Sequence, residues 1–86
     1  MTKRDMRIQL SNGLEARPVA MLVQIASTHE STVYIESDSK KVNAKSIMGM
    51  MSLGLDSGEM VTVTAEGKDE EATVADIEKF LSGKEA

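Results

Sequence analysis

The residues whose types and spacing most clearly suggest a reaction are a serine and the three lysines that precede it. Ser46 follows Lys40, Lys41 and Lys45, and residues 40–54 contain no acidic side chain. A phosphoryl group on this serine would carry roughly 1.5 to 2 negative charges near neutral pH. The lysines therefore form a local cationic segment that would favour such an anion, in a chain whose net charge is −4 at pH 7.

Ser46 also stands immediately before a short apolar segment, and this position predicts that it is a helix N-cap. An N-cap hydroxyl accepts a hydrogen bond from a backbone N–H of the first helical turn, so a plain capping role is one interpretation. Phosphorylation is the other, because the unpaired N–H groups and the positive end of the helix dipole would hold a phosphate in place. That contact is worth about 0.3 to 1 kcal/mol, which would leave the fold intact.

The predicted helix after Ser46 is apolar on every side. Its apolar residues are Ile47, Met48, Met50, Met51 and Leu53. One sheet face cannot bury all of them, so we expect part of the set to remain at the surface as a contact site. Methionine suits such a site because its side chain is flexible and polarizable. The alternative is that all five residues belong to the core.

Length and composition predict one small domain spanning residues 1–86. The absence of cysteine argues against a disulfide framework or a thiolate zinc site, and no cofactor is implied. The acidic net charge and the scarcity of aromatic residues argue against direct nucleic-acid contact. No apolar run follows Lys3 and Arg4, so we expect neither a signal peptide nor a membrane helix, and we expect a cytosolic location.

Apolar periodicity predicts the elements that position this segment. Alternation at Met6, Ile8 and Leu10 predicts a first strand, and spacings of three and four from Ala16 to about Thr28 predict a helix. The other predicted elements are a hairpin around 33–35 and 40–43, the helix after Ser46, a strand over 61–66 and a helix from Asp69 to Gly83. Because all strands are amphipathic, this order predicts an α+β fold with a four-stranded antiparallel sheet and three helices on one face.

Two segments carry a resemblance to a known family. Gly13-Leu14-Glu15-Ala16-Arg17-Pro18 is similar to the signature Gly-x-His-Ala-Arg-Pro, and Asn43 to Leu53 is similar to a regulatory serine segment. Both occur in the HPr family of small phosphocarrier proteins, which the chain resembles from Met6 to Leu81, and the serine segment is found in members from low-GC Gram-positive bacteria. The resemblance implies an open-faced β-sandwich of βαββαβα order and phosphorylation of Ser46 by the ATP-dependent HPr kinase/phosphorylase.

The first segment departs from that signature at Glu15, where the family has its phosphoryl-accepting histidine. Glutamate is a weaker nucleophile, and an acyl phosphate on it would be prone to hydrolysis, so we do not expect sugar-transport phosphotransfer. Arg17 still offers a guanidinium fork for an anion, and a phosphocarrier that uses Glu15 as an unusual acceptor is the alternative. His29 lies roughly 20 Å further along the helix and is expected to interact with the last helix carbonyls instead.

A histidine-less chain that keeps the serine segment looks like the catabolite-repression paralogues within the HPr family. That resemblance implies a regulatory binding protein and not an enzyme. Once phosphorylated on Ser46, it would bind CcpA, a LacI-type transcription factor, as a corepressor. Ile47, Met48 and Met51 would enter an apolar groove of the partner, with Arg17 nearby.

A decoy that occupies HPr partners without being phosphorylated is a third interpretation. A homodimer formed by strand pairing or exchange is compatible with the sequence but not required by it.

Overall fold

Four strands and three helices follow one another in the order βαββαβα in the computed structural model, which describes residues 1–10, 16–37, 40–54 and 56–83. The elements are β1 (Thr2–Arg7), α1 (Ala16–Ser27), β2 (Thr32–Ser37), β3 (Lys40–Asn43), α2 (Ile47–Met51), β4 (Met60–Glu66) and α3 (Glu70–Leu81). The strands form one antiparallel sheet in the order β1-β4-β2-β3. The predicted α+β fold class is confirmed. Within the described ranges, no helix is both long and apolar enough to cross a membrane.

The sheet buries one face because its strands alternate apolar and polar residues. Val61, Val63 and Ala65 of β4 are buried, whereas the threonines between them are partly exposed. The three helices complete the core from that side. They contribute Val19, Leu22, Val23 and Ala26 of α1, Met50 of α2, and Val74, Ile77, Phe80 and Leu81 of α3. The helices therefore form a single layer on one face of the sheet, as the sequence predicts.

The first strand lies earlier in the chain than its apolar alternation predicts. β1 covers Thr2 to Arg7, so Ile8 and Leu10 lie beyond it, although Met6 and Ile8 are buried. β1 is an edge strand, and its backbone pairs with β4 along its whole length. An edge strand has a neighbouring strand on one side only, so more of it is exposed to water. The first residues of β1 can therefore be polar, and they show no alternation of apolar and polar residues.

The start of α3 is fastened to the loop between α1 and β2. The Asp69 carboxylate accepts hydrogen bonds from the backbone N–H groups of Glu30 and Ser31, both at 3.0 Å, and from the Ser31 hydroxyl. The two ring nitrogens of His29 lie 3.2 Å from Asp69 and 2.9 Å from Asp76. We call these five residues the Asp69 clasp. The expectation that His29 interacts with the last carbonyls of its own helix is wrong.

Hydrogen bonds depress the pKa values of the two carboxylates at this helix start. The Ser31 hydroxyl and the backbone N–H of Glu30 hold the pKa of Asp69 well below its ordinary value. The Met1 ammonium and the Thr2 hydroxyl lower the pKa of Glu70 to about 2. Because each carboxyl binds a proton more tightly in the unfolded chain, its stabilising contribution is complete above the unfolded pKa. That contribution is lost as the pH falls through the folded pKa.

We expect the free energy of unfolding to decrease as the pH falls from about 5 to about 2, and we expect Asp69→Asn to reduce this dependence. The variant should also be less stable at neutral pH, because an amide cannot accept all the hydrogen bonds of the clasp. Urea denaturation at a series of pH values measures both effects. Asp56→Asn, at an exposed position, serves as the control. Identical pH slopes for Asp69→Asn and the wild type would contradict the assignment.

Candidate functional site

Ser46 is presented by a tight turn between β3 and α2. The Asn43 side-chain oxygen accepts a hydrogen bond from the Lys45 N–H at 2.8 Å, and the Asn43 carbonyl accepts one from the Ser46 N–H at 3.0 Å. Asparagine favours such turns because its side chain reaches the backbone two residues further along. The turn leaves Ser46 in an extended conformation, with φ −108° and ψ 114°, which is typical of a residue that begins a helix.

The Ser46 hydroxyl caps α2. Its Oγ accepts a hydrogen bond from the Gly49 N–H at 3.1 Å, and the Ser46 carbonyl accepts one from the Met50 N–H at 2.9 Å. The N-cap position predicted from the sequence is confirmed. The Ser46 side chain is also exposed, so the capping oxygen is accessible from solvent.

The short helix α2 divides its apolar residues between the core and the surface. Met50 is fully buried and Leu53 packs partly against the core. In contrast, Ile47, Met48 and Met51 are 50%, 85% and 52% exposed. The alternative in which all five residues belong to the core is therefore wrong. We call Ile47, Met48 and Met51 the α2 patch.

Two of the lysines that precede Ser46 have partners elsewhere. The Lys40 ammonium donates a hydrogen bond to the Ser52 carbonyl at the end of α2, at 2.9 Å. The Lys41 ammonium lies 5.0 Å from the centre of the Tyr34 ring, in cation–π geometry. A cation is favoured at a helix carboxyl end, which explains the position of Lys40. The cationic segment seen in the sequence is therefore spread over the surface and does not converge on the serine hydroxyl.

The third lysine fastens the turn to α1. Lys45 is half-buried, and its ammonium donates a hydrogen bond to the His29 carbonyl, just beyond the end of α1, at 2.9 Å. This carbonyl belongs to a residue of the Asp69 clasp. The residue immediately before Ser46 is thus held by a contact that spans 16 positions of sequence, and no local pattern could have indicated it.

Arg17 is exposed in the first turn of α1, and that turn contains no acidic residue. Helices α1 and α2 contact each other, so Arg17 and the α2 patch belong to neighbouring helices of the same layer. Glu15, the residue predicted to occupy the acceptor position, lies outside the described residues, as do Gly13 and Leu14. Of the predicted anion site, the described residues therefore include Arg17, Pro18 and the first turn of α1, but not the acceptor position.

Substitutions of Met50 and Met48 compare a buried and an exposed methionine of the same helix. Met50→Ala leaves a cavity in the core and should reduce the free energy of unfolding by about 2 to 5 kcal/mol. Met48→Ala removes an exposed side chain and should change that free energy by less than about 0.5 kcal/mol. Urea denaturation of both variants measures the difference, and similar losses of stability would contradict the assignment of the α2 patch.

Comparison with known proteins agrees with this fold. The chain matches the family described as PTS HPr component phosphorylation site over residues 2–83. It is 49% identical over 83 residues to the HPr-like protein Crh of Halalkalibacterium halodurans, a match that covers 92% of this chain and 99% of the relative.

Solved structures agree as well. Phosphocarrier protein HPr from Bacillus anthracis has a TM-score of 0.91 at 42% identity, with coverage of 93% of this chain and 95% of that chain. Crh from Bacillus subtilis, which forms a dimer with a swapped domain, has a TM-score of 0.78 at 42% identity, with coverage of 96% and 95%. The chain therefore belongs to the HPr family of phosphocarrier and HPr-like proteins.

Proposed function

We propose that this chain is a regulatory phosphoprotein of carbon catabolite repression. In this proposal, HPr kinase/phosphorylase phosphorylates Ser46, and the modified protein acts as corepressor of a CcpA-type regulator of the LacI family. The observation that carries the proposal is the exposed Ser46 hydroxyl beside the exposed α2 patch. Similarity to Crh, described as a catabolite repression protein in Bacillus subtilis, supports it.

The local geometry suits a phosphoryl group on Ser46. The Gly49 N–H already donates to its Oγ at 3.1 Å, and a phosphate oxygen can accept the same hydrogen bond with the added strength of a charge. A Cβ at position 49 would lie 3.3 Å from the Ser46 Oγ, so the glycine leaves space beside the hydroxyl. Phosphorylation therefore adds charge at the surface without removing a core contact.

A partner would recognise charge and apolar surface together. The phosphoserine would pair with a basic side chain, while Ile47, Met48 and Met51 would enter an apolar groove. Arg17, on the neighbouring helix, would add a polar contact. Burial of the α2 patch supplies affinity in proportion to the apolar area removed from water, and the phosphate restricts binding to the modified form.

Glu15 favours this binding role over phosphotransfer. The sequence places a glutamate where the HPr signature has its acceptor histidine. A carboxylate there already carries a negative charge and would repel an incoming phosphoryl donor.

Removal of the Ser46 hydroxyl tests the proposal directly. After incubation with HPr kinase and ATP, Ser46→Ala should bind a purified CcpA-type regulator at least about tenfold more weakly than the wild type, as measured by surface plasmon resonance. Ser52→Ala is the matched control, because Ser52 is exposed at the opposite end of α2. Mass spectrometry should find one phosphate on the wild type and on Ser52→Ala, and none on Ser46→Ala.

A second variant separates loss of phosphate from loss of the cap. Ser46→Ala removes a capping oxygen and should cost about 0.5 to 2 kcal/mol of stability, whereas Ser46→Asn keeps a capping oxygen but cannot be phosphorylated in this way. Both variants should bind weakly after kinase treatment. Wild-type affinity in either variant would refute the role of phosphoserine.

A phosphocarrier function with Glu15 as acceptor is the second candidate, and the exposed Arg17 in the first turn of α1 favours it. Incubation with phosphoenolpyruvate and enzyme I would then produce a phosphate on Glu15 that hydroxylamine removes. We expect no such phosphate, because an acyl phosphate is prone to hydrolysis. Its detection by mass spectrometry, and its loss in Glu15→Gln, would favour the phosphocarrier function instead.

A further inference from the structure

The methionines of this chain fall into two groups of very different exposure. Met48 and Met51 are 85% and 52% exposed, whereas Met50 and Met6 are 0% and 4% exposed. The three methionines of the short helix α2 thus combine two exposed side chains, Met48 and Met51, with a buried one, Met50. Oxidants reach exposed methionine sulfur first, so α2 should react at its surface and remain intact in its core.

We propose that Met48 and Met51 are oxidation sites that control the docking of the Ser46-phosphorylated protein, an inference that rests on the function proposed above. A peroxide transfers one oxygen atom to the thioether sulfur. The O–O bond breaks, an S–O bond forms, the sulfur is oxidised by two electrons, and the peroxide leaves as water or as an alcohol. The product is methionine sulfoxide, a polar side chain.

The chemical change opposes docking because it occurs within the apolar part of the site. A sulfoxide oxygen is a strong hydrogen-bond acceptor and must lose its water to enter an apolar groove. The phosphate on Ser46 would be unaffected, since the cap involves Gly49 and the helix backbone and no thioether. Oxidation would therefore remove the apolar half of the recognition signal and leave the charged half in place.

Oxidation at these positions should leave the fold intact. Met48 and Met51 are at least half exposed, and the core position of α2 is occupied by Met50. The change is also reversible, because two thiols of a reductase can return the sulfoxide to the thioether while they form a disulfide and release water. The site therefore has the chemistry of a switch that responds to peroxide.

Met60 supplies a matched control. It is 49% exposed, close to the value of Met51. It precedes the buried Val61 on β4, so its side chain points to the face of the sheet opposite the helices. Oxidation of Met60 should proceed at a comparable rate and should not affect docking.

The test uses protein phosphorylated on Ser46, treated with increasing hydrogen peroxide and then with catalase. Peptide mass spectrometry measures oxidation at each methionine, surface plasmon resonance measures affinity for the CcpA-type regulator, and circular dichroism measures the fold.

We expect affinity to fall by about tenfold as Met48 and Met51 are oxidised, with an unchanged circular dichroism spectrum. In the variant with both Met48→Leu and Met51→Leu, the ratio of affinities before and after peroxide should stay near one, whatever its untreated affinity, because leucine has no sulfur to oxidise. Met60→Leu should remain sensitive.

Three results would overturn the inference. The first is unchanged affinity when Met48 and Met51 are fully oxidised. The second is equal peroxide sensitivity in the Met48→Leu, Met51→Leu variant. The third is absence of binding before peroxide treatment, which would refute the proposed function itself and this inference with it. The first two leave the proposed function standing, so the two kinds of failure are distinguishable.

Discussion

The apolar face of the sheet must be covered, and α2 covers its share with one side chain. Met50 enters the core, and its position fixes the rotation of a helix that is only five residues long. Because successive residues of a helix point about 100° apart, burial of Met50 turns Met48 and Met51 toward water. Ser46, which begins the same helix, is placed at the edge of this surface. Burial of Met50 therefore fixes both the contribution of α2 to the core and the direction in which its exposed residues point.

Hydrogen bonds connect this site to the far side of the helical layer. Lys45 binds the carbonyl of His29, whose imidazole lies between Asp69, at the start of α3, and Asp76, in the middle of that helix. The turn before Ser46, the end of α1 and the start of α3 are thus joined through neighbouring residues. Lys40 and Lys45 bind carbonyls at helix carboxyl ends, and Lys41 lies against the Tyr34 ring, which explains why the three lysines do not surround the serine. In the proposed function, the added phosphate would interact with the backbone N–H groups at the N-terminus of α2 and not with a cluster of lysines.

Much of the fold could be predicted because its signals are local. Alternation at Val61, Val63 and Ala65 gave β4, and the serine before an apolar segment gave the cap of α2. The apolar excess of α2 also indicated that part of it stays exposed. The docking hypothesis named Ile47, Met48 and Met51, the same three residues that the structure leaves exposed, whereas the full burial of Met50 was seen only in the tertiary structure. The polar start of β1 and the contact of His29 with Asp69 were missed, because both depend on residues distant in sequence. The acceptor position Glu15 could be identified only by resemblance.

The hydrogen bond from Lys45 to the His29 carbonyl ties the turn around Ser46 to a residue just beyond α1. A helix of five residues does not persist in an isolated peptide, because helix nucleation is unfavourable at such lengths. The turn around Ser46 therefore depends on tertiary contacts for its shape, and the hydrogen bond from Lys45 to the His29 carbonyl is one of them. In the proposed function, a kinase that requires this shape would modify folded copies of the protein and not unfolded or proteolysed ones.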